Sequence, residues 1–178
     1  MARTRHKLGL RGERGFSLVE VLVSMFIIAI GLLGMAKMQA LAIIDTSIAR
    51  TRSLAAIEAA SLASAMHANK AYWAIGAAPA SFTVAGTTVS DSGLNGQTTK
   101  CDTTTCTAVQ MAGFDIKAWG ANLQTQFPTG AGAVTCTATV PVTCTIQISW
   151  TEKYVAMNTG TSPTAATGTQ TYQLVVEP

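Results

Sequence analysis

Residues 16–35 read Phe16-Ser-Leu-Val-Glu20-Val-Leu-Val-Ser-Met25-Phe-Ile-Ile-Ala-Ile30-Gly-Leu-Leu-Gly-Met35, about 20 predominantly apolar residues with Glu20 as the one ionisable group. At ~1.5 Å of rise per residue a helix over this stretch is long enough to cross a ~30 Å hydrocarbon layer. The residues before it are basic: Arg3, Arg5, Lys7, Arg11 and Arg14 stand against Glu13 alone. Such a cluster stays cytoplasmic by the positive-inside rule, which sends everything after Met38 to the far side.

Glu20 is the informative exception. A charge at the centre of a membrane helix costs ~2.5–3.5 kcal/mol even on lenient insertion scales. Either Glu20 lies close enough to the headgroups to be hydrated, or it has a cationic partner at its own depth. Cleavage between Gly15 and Phe16 would create that partner, a terminal amine four residues before the carboxylate, with a pKa of ~7.7–8.0 and so mostly charged at neutral pH. Formed between adjacent chains, the pair would act as a register device, since buried ion pairs specify geometry more than they add stability.

Two other fates are open to the segment. Ala40-Leu41-Ala42 imitates a secretory cleavage site. However, an apolar region of about 20 residues exceeds the ~7–15 of a signal peptide, and it would contain a glutamate. The other is a plain single-span anchor, never cut.

The run Arg14-Gly15-Phe16-Ser17-Leu18-Val19-Glu20, followed by the apolar stretch, closely resembles the class III signal of type IV prepilins and pseudopilins. The resemblance implies that a prepilin peptidase cuts after Gly15 and methylates Phe16, and that Glu20 guides assembly. It implies an α+β, pilin-like fold: a long N-terminal helix, half membrane-spanning and half packed against a small antiparallel sheet head with disulfides. The expected divisions are a cleaved leader at 1–15, a transmembrane and assembly segment at 16–38, and a periplasmic or extracellular head at 39–178.

A looser resemblance, carried by Ile30–Gln39 and by Asp115–Trp150, is to the minor pilins of type IV pili. It implies a low-abundance subunit that joins other minor pilins and the major pilin, primes assembly and helps present a tip adhesin for attachment and twitching motility. The protein would sit first in the inner membrane and then in a pilus on the cell surface. A type II secretion pseudopilin shares the leader and Glu20 and is the runner-up; a membrane-anchored periplasmic binding module would require that Gly15 is not a cleavage site. The helix-bending proline of many major pilins is absent, since no proline interrupts residues 16–78.

Composition agrees with an exported subunit. Of 12 Lys and Arg and 9 Asp and Glu, five and one lie in the leader. That leaves seven basic and eight acidic residues from Phe16 onward, which is no footprint for nucleic acid. Cys101, Cys106, Cys136 and Cys144 all follow the apolar segment, an even count as expected of disulfides in an oxidising compartment. Four cysteines allow three connectivities, and the sequential one, Cys101–Cys106 and Cys136–Cys144, is expected because each pair is close in sequence and the second spans a hairpin. Zinc is disfavoured because neither spacing is Cys-x-x-Cys and His6 and His67 are distant. Catalysis, a metal site and a cofactor are not expected, since no Gly-x-Ser-x-Gly, phosphate loop or His-Glu-x-x-His is present.

Beyond Met35, residues Leu41, Ile44, Ile48, Ala55, Ala59, Leu62 and Met66 form a helical stripe, predicting one helix from Phe16 to about Ala68 with His67 as a polar end residue. Residues 74–113 read as irregular, with extended pieces at Phe82–Val89 and Thr107–Met111 and a disulfide-pinned loop at 101–106. Asp115 is expected to cap a short helix carrying Ile116, Trp119, Leu123 and Phe127, stopped by Pro128. Alternation in Val134, Cys136, Ala138 and Val140, and again from Val142 to Trp150, predicts a hairpin turning at Pro141; Thr171–Glu177 supplies another strand and 158–169 a loop. Trp73, Trp119 and Trp150 are read as core.

Overall fold

The structure is a computed structural model and describes residues 15–127, 129–155 and 165–178. Residues 1–14 of the expected leader 1–15, and the helix stop assigned to Pro128, lie outside the described residues. The chain divides into two compact units, residues 1–43 and 44–178. Helix α1, Leu18–Ala68, contributes to both.

In the first unit every side chain described is exposed. Helix α1 begins after Ser17, whose carbonyl accepts from the N–H groups of Glu20 at 3.0 Å and Val21 at 3.3 Å. Phe16 and Ser17 therefore precede the helix rather than open it.

In the second unit α1 is amphipathic. Ala55, Ala59, Leu62 and Met66 are buried with the core, whereas Ile57 and His67 face outward. The helix stops at Asn69, whose side-chain amide donates to the carbonyl of Ala108 at 2.8 Å. After it come α2 (Lys70–Trp73), β1 (Ser81–Ala85), β2 (Thr88–Val89), α3 (Ser92–Asn95), α4 (Ala108–Gln126), β3 (Ala131–Cys136), β4 (Cys144–Val155) and β5 (Ala165–Val176). The strands form one antiparallel sheet in the order β2-β1-β3-β4-β5. With its long apolar helix and two disulfides this is an α+β, pilin-like fold.

Period-2 alternation places Phe82, Val134, Ile146 and Leu174 side by side across four strands. The next row holds Val84, Gly132, Ile148 and Tyr172. Gly132 leaves the space that the Trp119 ring fills: a Cβ there would lie 2.3 Å from the indole. Helix α4 turns Ala112, Gly113, Ile116, Trp119, Gly120 and Leu123 inward. All three tryptophans are buried, with Trp73 ringed by Tyr72 and Phe82 and Trp150 by Phe127. Burying each large apolar side chain is worth about 1.5–3 kcal/mol, so these rows supply most of the drive to fold.

Four expectations are corrected. Thr107–Met111 is not extended: Thr107 caps α4 in a reciprocal box, its side chain accepting from the N–H of Gln110 while the Gln110 side-chain oxygen accepts from the N–H of Thr107. The pattern Thr-x-x-Gln is a helix start of the kind that satisfies orphan donors. Asp115 consequently lies inside α4, about two turns past its start, and does not cap the helix. Strand β3 ends at Cys136 rather than running to Val140; Val140 is 76% exposed and precedes a cis peptide at Pro141. Finally, β5 begins at Ala165, so the segment 158–169 is not all loop.

Candidate processing and assembly motif

Gly15, Phe16 and Glu20 occupy the entrance to α1. Gly15 to Ser17 carry no regular structure, and a Cβ added at Gly15 would meet nothing within 4 Å among the described residues. Phe16 is 81% exposed. Glu20 stands in the first turn of α1, where a carboxylate complements the positive end of the helix dipole. Its carbonyl takes the hydroxyl of Ser24 at 2.7 Å, which absorbs a polar group that would otherwise face an apolar surround.

Leu18, Val19, Leu22, Phe26, Ile27, Ile30 and Leu33 are all more than half exposed. An exposed apolar surface of this extent is unfavourable in water and marks a membrane or partner interface. One helix among the described residues, α1, is long and apolar enough to cross a membrane. Glu20 and Lys37 are the ionisable residues between Phe16 and Met38, one near each end of the apolar run.

In the second unit, Cys101 is bonded to Cys106 and Cys136 to Cys144, with no free cysteine among the described residues. This is the sequential pairing. Cys136 and Cys144 lie directly opposite each other at the sheet end of the β3–β4 connection, with Cα atoms 4.0 Å apart. The Cys101–Cys106 bridge closes a small turn before α4.

Sequence reasoning passed over a set of buried polar groups. Glu58 is 8% exposed; its backbone carbonyl accepts from the indole N–H of Trp119, and its carboxylate from the side-chain amide of Gln126. Glu152, also 8% exposed, lies 3.6 Å from Arg52, and its second oxygen is buried without a hydrogen-bond partner. Both were findable: Glu58 falls three residues after Ala55 and four before Leu62 on the buried stripe, and Glu152 keeps the inward parity of Ile148 and Trp150. Asp115 borders an open groove with Ala65, Asn69, Ala108 and Met111, and burial raises the pKa of its carboxyl. No group of three or more His, Cys, Asp or Glu that would hold a metal is found among the described residues.

Residues 10–36 match the family described as the prokaryotic N-terminal methylation motif. The chain therefore carries a type IV pilin-like class III signal, the mark of a prepilin peptidase substrate. The match ends within α1, and neither a curated protein nor a solved structure matches the chain.

Proposed function

We propose that this protein is a minor subunit of a type IV pilus, similar to the minor pilin PilV. Residues 1–15 act as a basic leader, cut between Gly15 and Phe16 by a prepilin peptidase that then methylates Phe16. Residues 16–38 hold the subunit in the inner membrane with the head, 39–178, in the periplasm. The subunit then joins other minor pilins and the major pilin, primes the filament and helps present a tip adhesin, supporting attachment and twitching motility.

One observation carries this reading: Glu20 is the lone acid of an otherwise exposed apolar stretch, four residues after Phe16 and inside the segment that matches the methylation motif. The two charges suit a pair between neighbouring subunits. The amine of each incoming chain finds the carboxylate of one already in place, and the stagger of the helices follows from that contact. Desolvation would make a mismatched insertion costly, so the pair acts as a selector of register.

The test is Glu20→Ala. The variant should insert and be processed as the wild type is, yet be missing from sheared pili while accumulating in the membrane. Incorporation at the wild-type level would remove the pairing mechanism.

A further inference from the structure

The two edges of the sheet are finished differently. Strand β2 is two residues long, and its Val89 N–H is taken by the side-chain oxygen of Asn95 at 3.1 Å. Strand β5 at the opposite edge is 12 residues long and pairs one-to-one with β4 from Val176 back to Ala165 without a bulge. Its sequence, AATGTQTYQLVV, holds no proline and no charged residue. Short strands, charges, prolines and bulges are the usual means of keeping a sheet edge from pairing, and β5 uses none of them.

The direction of its backbone groups follows from the ladder. Cys136 donates its N–H to Ala80 on the β1 side at 2.9 Å, so at Cys144, opposite it, the backbone groups face β5 and Val176. Thr151 supports the same parity, since its N–H reaches Thr129 on the β3 side at 3.1 Å. Alternation along β5 then points the N–H and C=O of Thr167, Thr169, Thr171, Gln173 and Val175 to the open edge. The side chains of these five are also exposed.

We propose that the open edge of β5 pairs with the same edge of a second copy of this chain, antiparallel and two-fold, centred on Thr171. An evenly spaced row of outward donors and acceptors matches the spacing of a second extended strand, which can replace the water on it along its whole length. The edge carries no charge, so two copies meet without repulsion. Because the β2 edge is short and its Val89 N–H is taken, pairing consumes the one long open edge among the described residues of each copy and closes at a dimer. Centring on Thr171, the middle of the five, engages all of them and sets Thr169 opposite the partner's Gln173. The inference is independent of the pilus assignment.

The full chain is purified in an uncharged maltoside detergent and its protein mass measured by light scattering corrected for detergent. The wild type should have twice the mass of one chain. Thr171→Pro should halve it while leaving the unfolding midpoint close to wild type, because the lost N–H faces away from β4. Two further variants test the register. Thr169→Lys with Gln173→Lys sets like charges opposite each other and should halve the mass, whereas Thr169→Lys with Gln173→Glu sets opposite charges together and should restore it. A single-chain mass for the wild type up to its solubility limit overturns the proposal. So does a dimer that persists in Thr171→Pro and in the double-lysine variant, which would locate the contact elsewhere.

Discussion

The indole N–H of Trp119 donates to the backbone carbonyl of Glu58 at 2.9 Å, a buried bond between residues 61 positions apart. It joins α4 to α1 at the point where the Trp119 ring also fills the space above Gly132. Trp119→Phe keeps most of the apolar contact and removes the donor, and should cost about 1–3 kcal/mol from the lost hydrogen bond and a small cavity. Trp119→Ala should cost about 3–5 kcal/mol. Urea unfolding followed by circular dichroism measures both.

Gly120 sets the closest approach of α4 to the β1–β2 turn. A Cβ there would lie 2.2 Å from the Gly86 carbonyl and 2.3 Å from a Val84 methyl. Alanine gains up to ~1 kcal/mol of helix propensity, but overpacking against backbone costs more. Gly120→Ala should therefore lower the thermal midpoint of the second unit by an amount matching a net loss of about 1–3 kcal/mol. Gly34→Ala, where an added Cβ meets nothing within 4 Å, should leave that midpoint unchanged.

Arg52 and Glu152 link α1 to β4 through a contact in which the acid is buried and the base is 58% exposed. Arg52→Ala leaves a desolvated carboxylate without its cation and should be destabilising by about 1–3 kcal/mol. Combining it with Glu152→Gln should recover part of that loss, since the amide carries no charge to compensate. A double-mutant cycle in urea gives the coupling directly, and strict additivity would deny the pair any role.

Asp115 gives a pH signature. Burial raises its folded-state pKa above the ordinary 3.8, so folding favours the protonated form. Its contribution is most favourable in acid, below that ordinary value, and declines as pH rises through the folded pKa. Asp115→Asn removes this dependence. Its thermal midpoint should exceed that of the wild type at neutral pH, and the difference should fade in acid.

Much of this was legible in the chain because it rests on strong periodicity. The 51-residue α1 follows from an unbroken apolar stretch running into a stripe at Ala55, Ala59, Leu62 and Met66 with no proline between. The core positions of β4 follow from its period of two. What escaped was local backbone chemistry. Thr107 and Gln110 cap each other across two unremarkable residues, so a helix start looked like an extended piece, and Asp115 drew the cap assignment because it is the acid nearest the apolar face. The alternation at Ala138 and Val140 continues past the point where the Cys136–Cys144 pair ends the ladder, which pattern alone does not reveal. At the head of α1, the types and spacing of Gly15, Phe16 and Glu20 are explicit in the sequence, while their roles belong to processing and assembly partners.

Whether the mature chain begins at Phe16 is read from the intact mass and N-terminal residue of the protein purified from membranes of cells that make it. The expected result is a chain starting at Phe16 with one added methyl group on its amine. A chain starting at Met1 would contradict it and indicate an uncut anchor. A chain starting at Ile43 would also contradict it, indicating a secreted domain released by cleavage after Ala42.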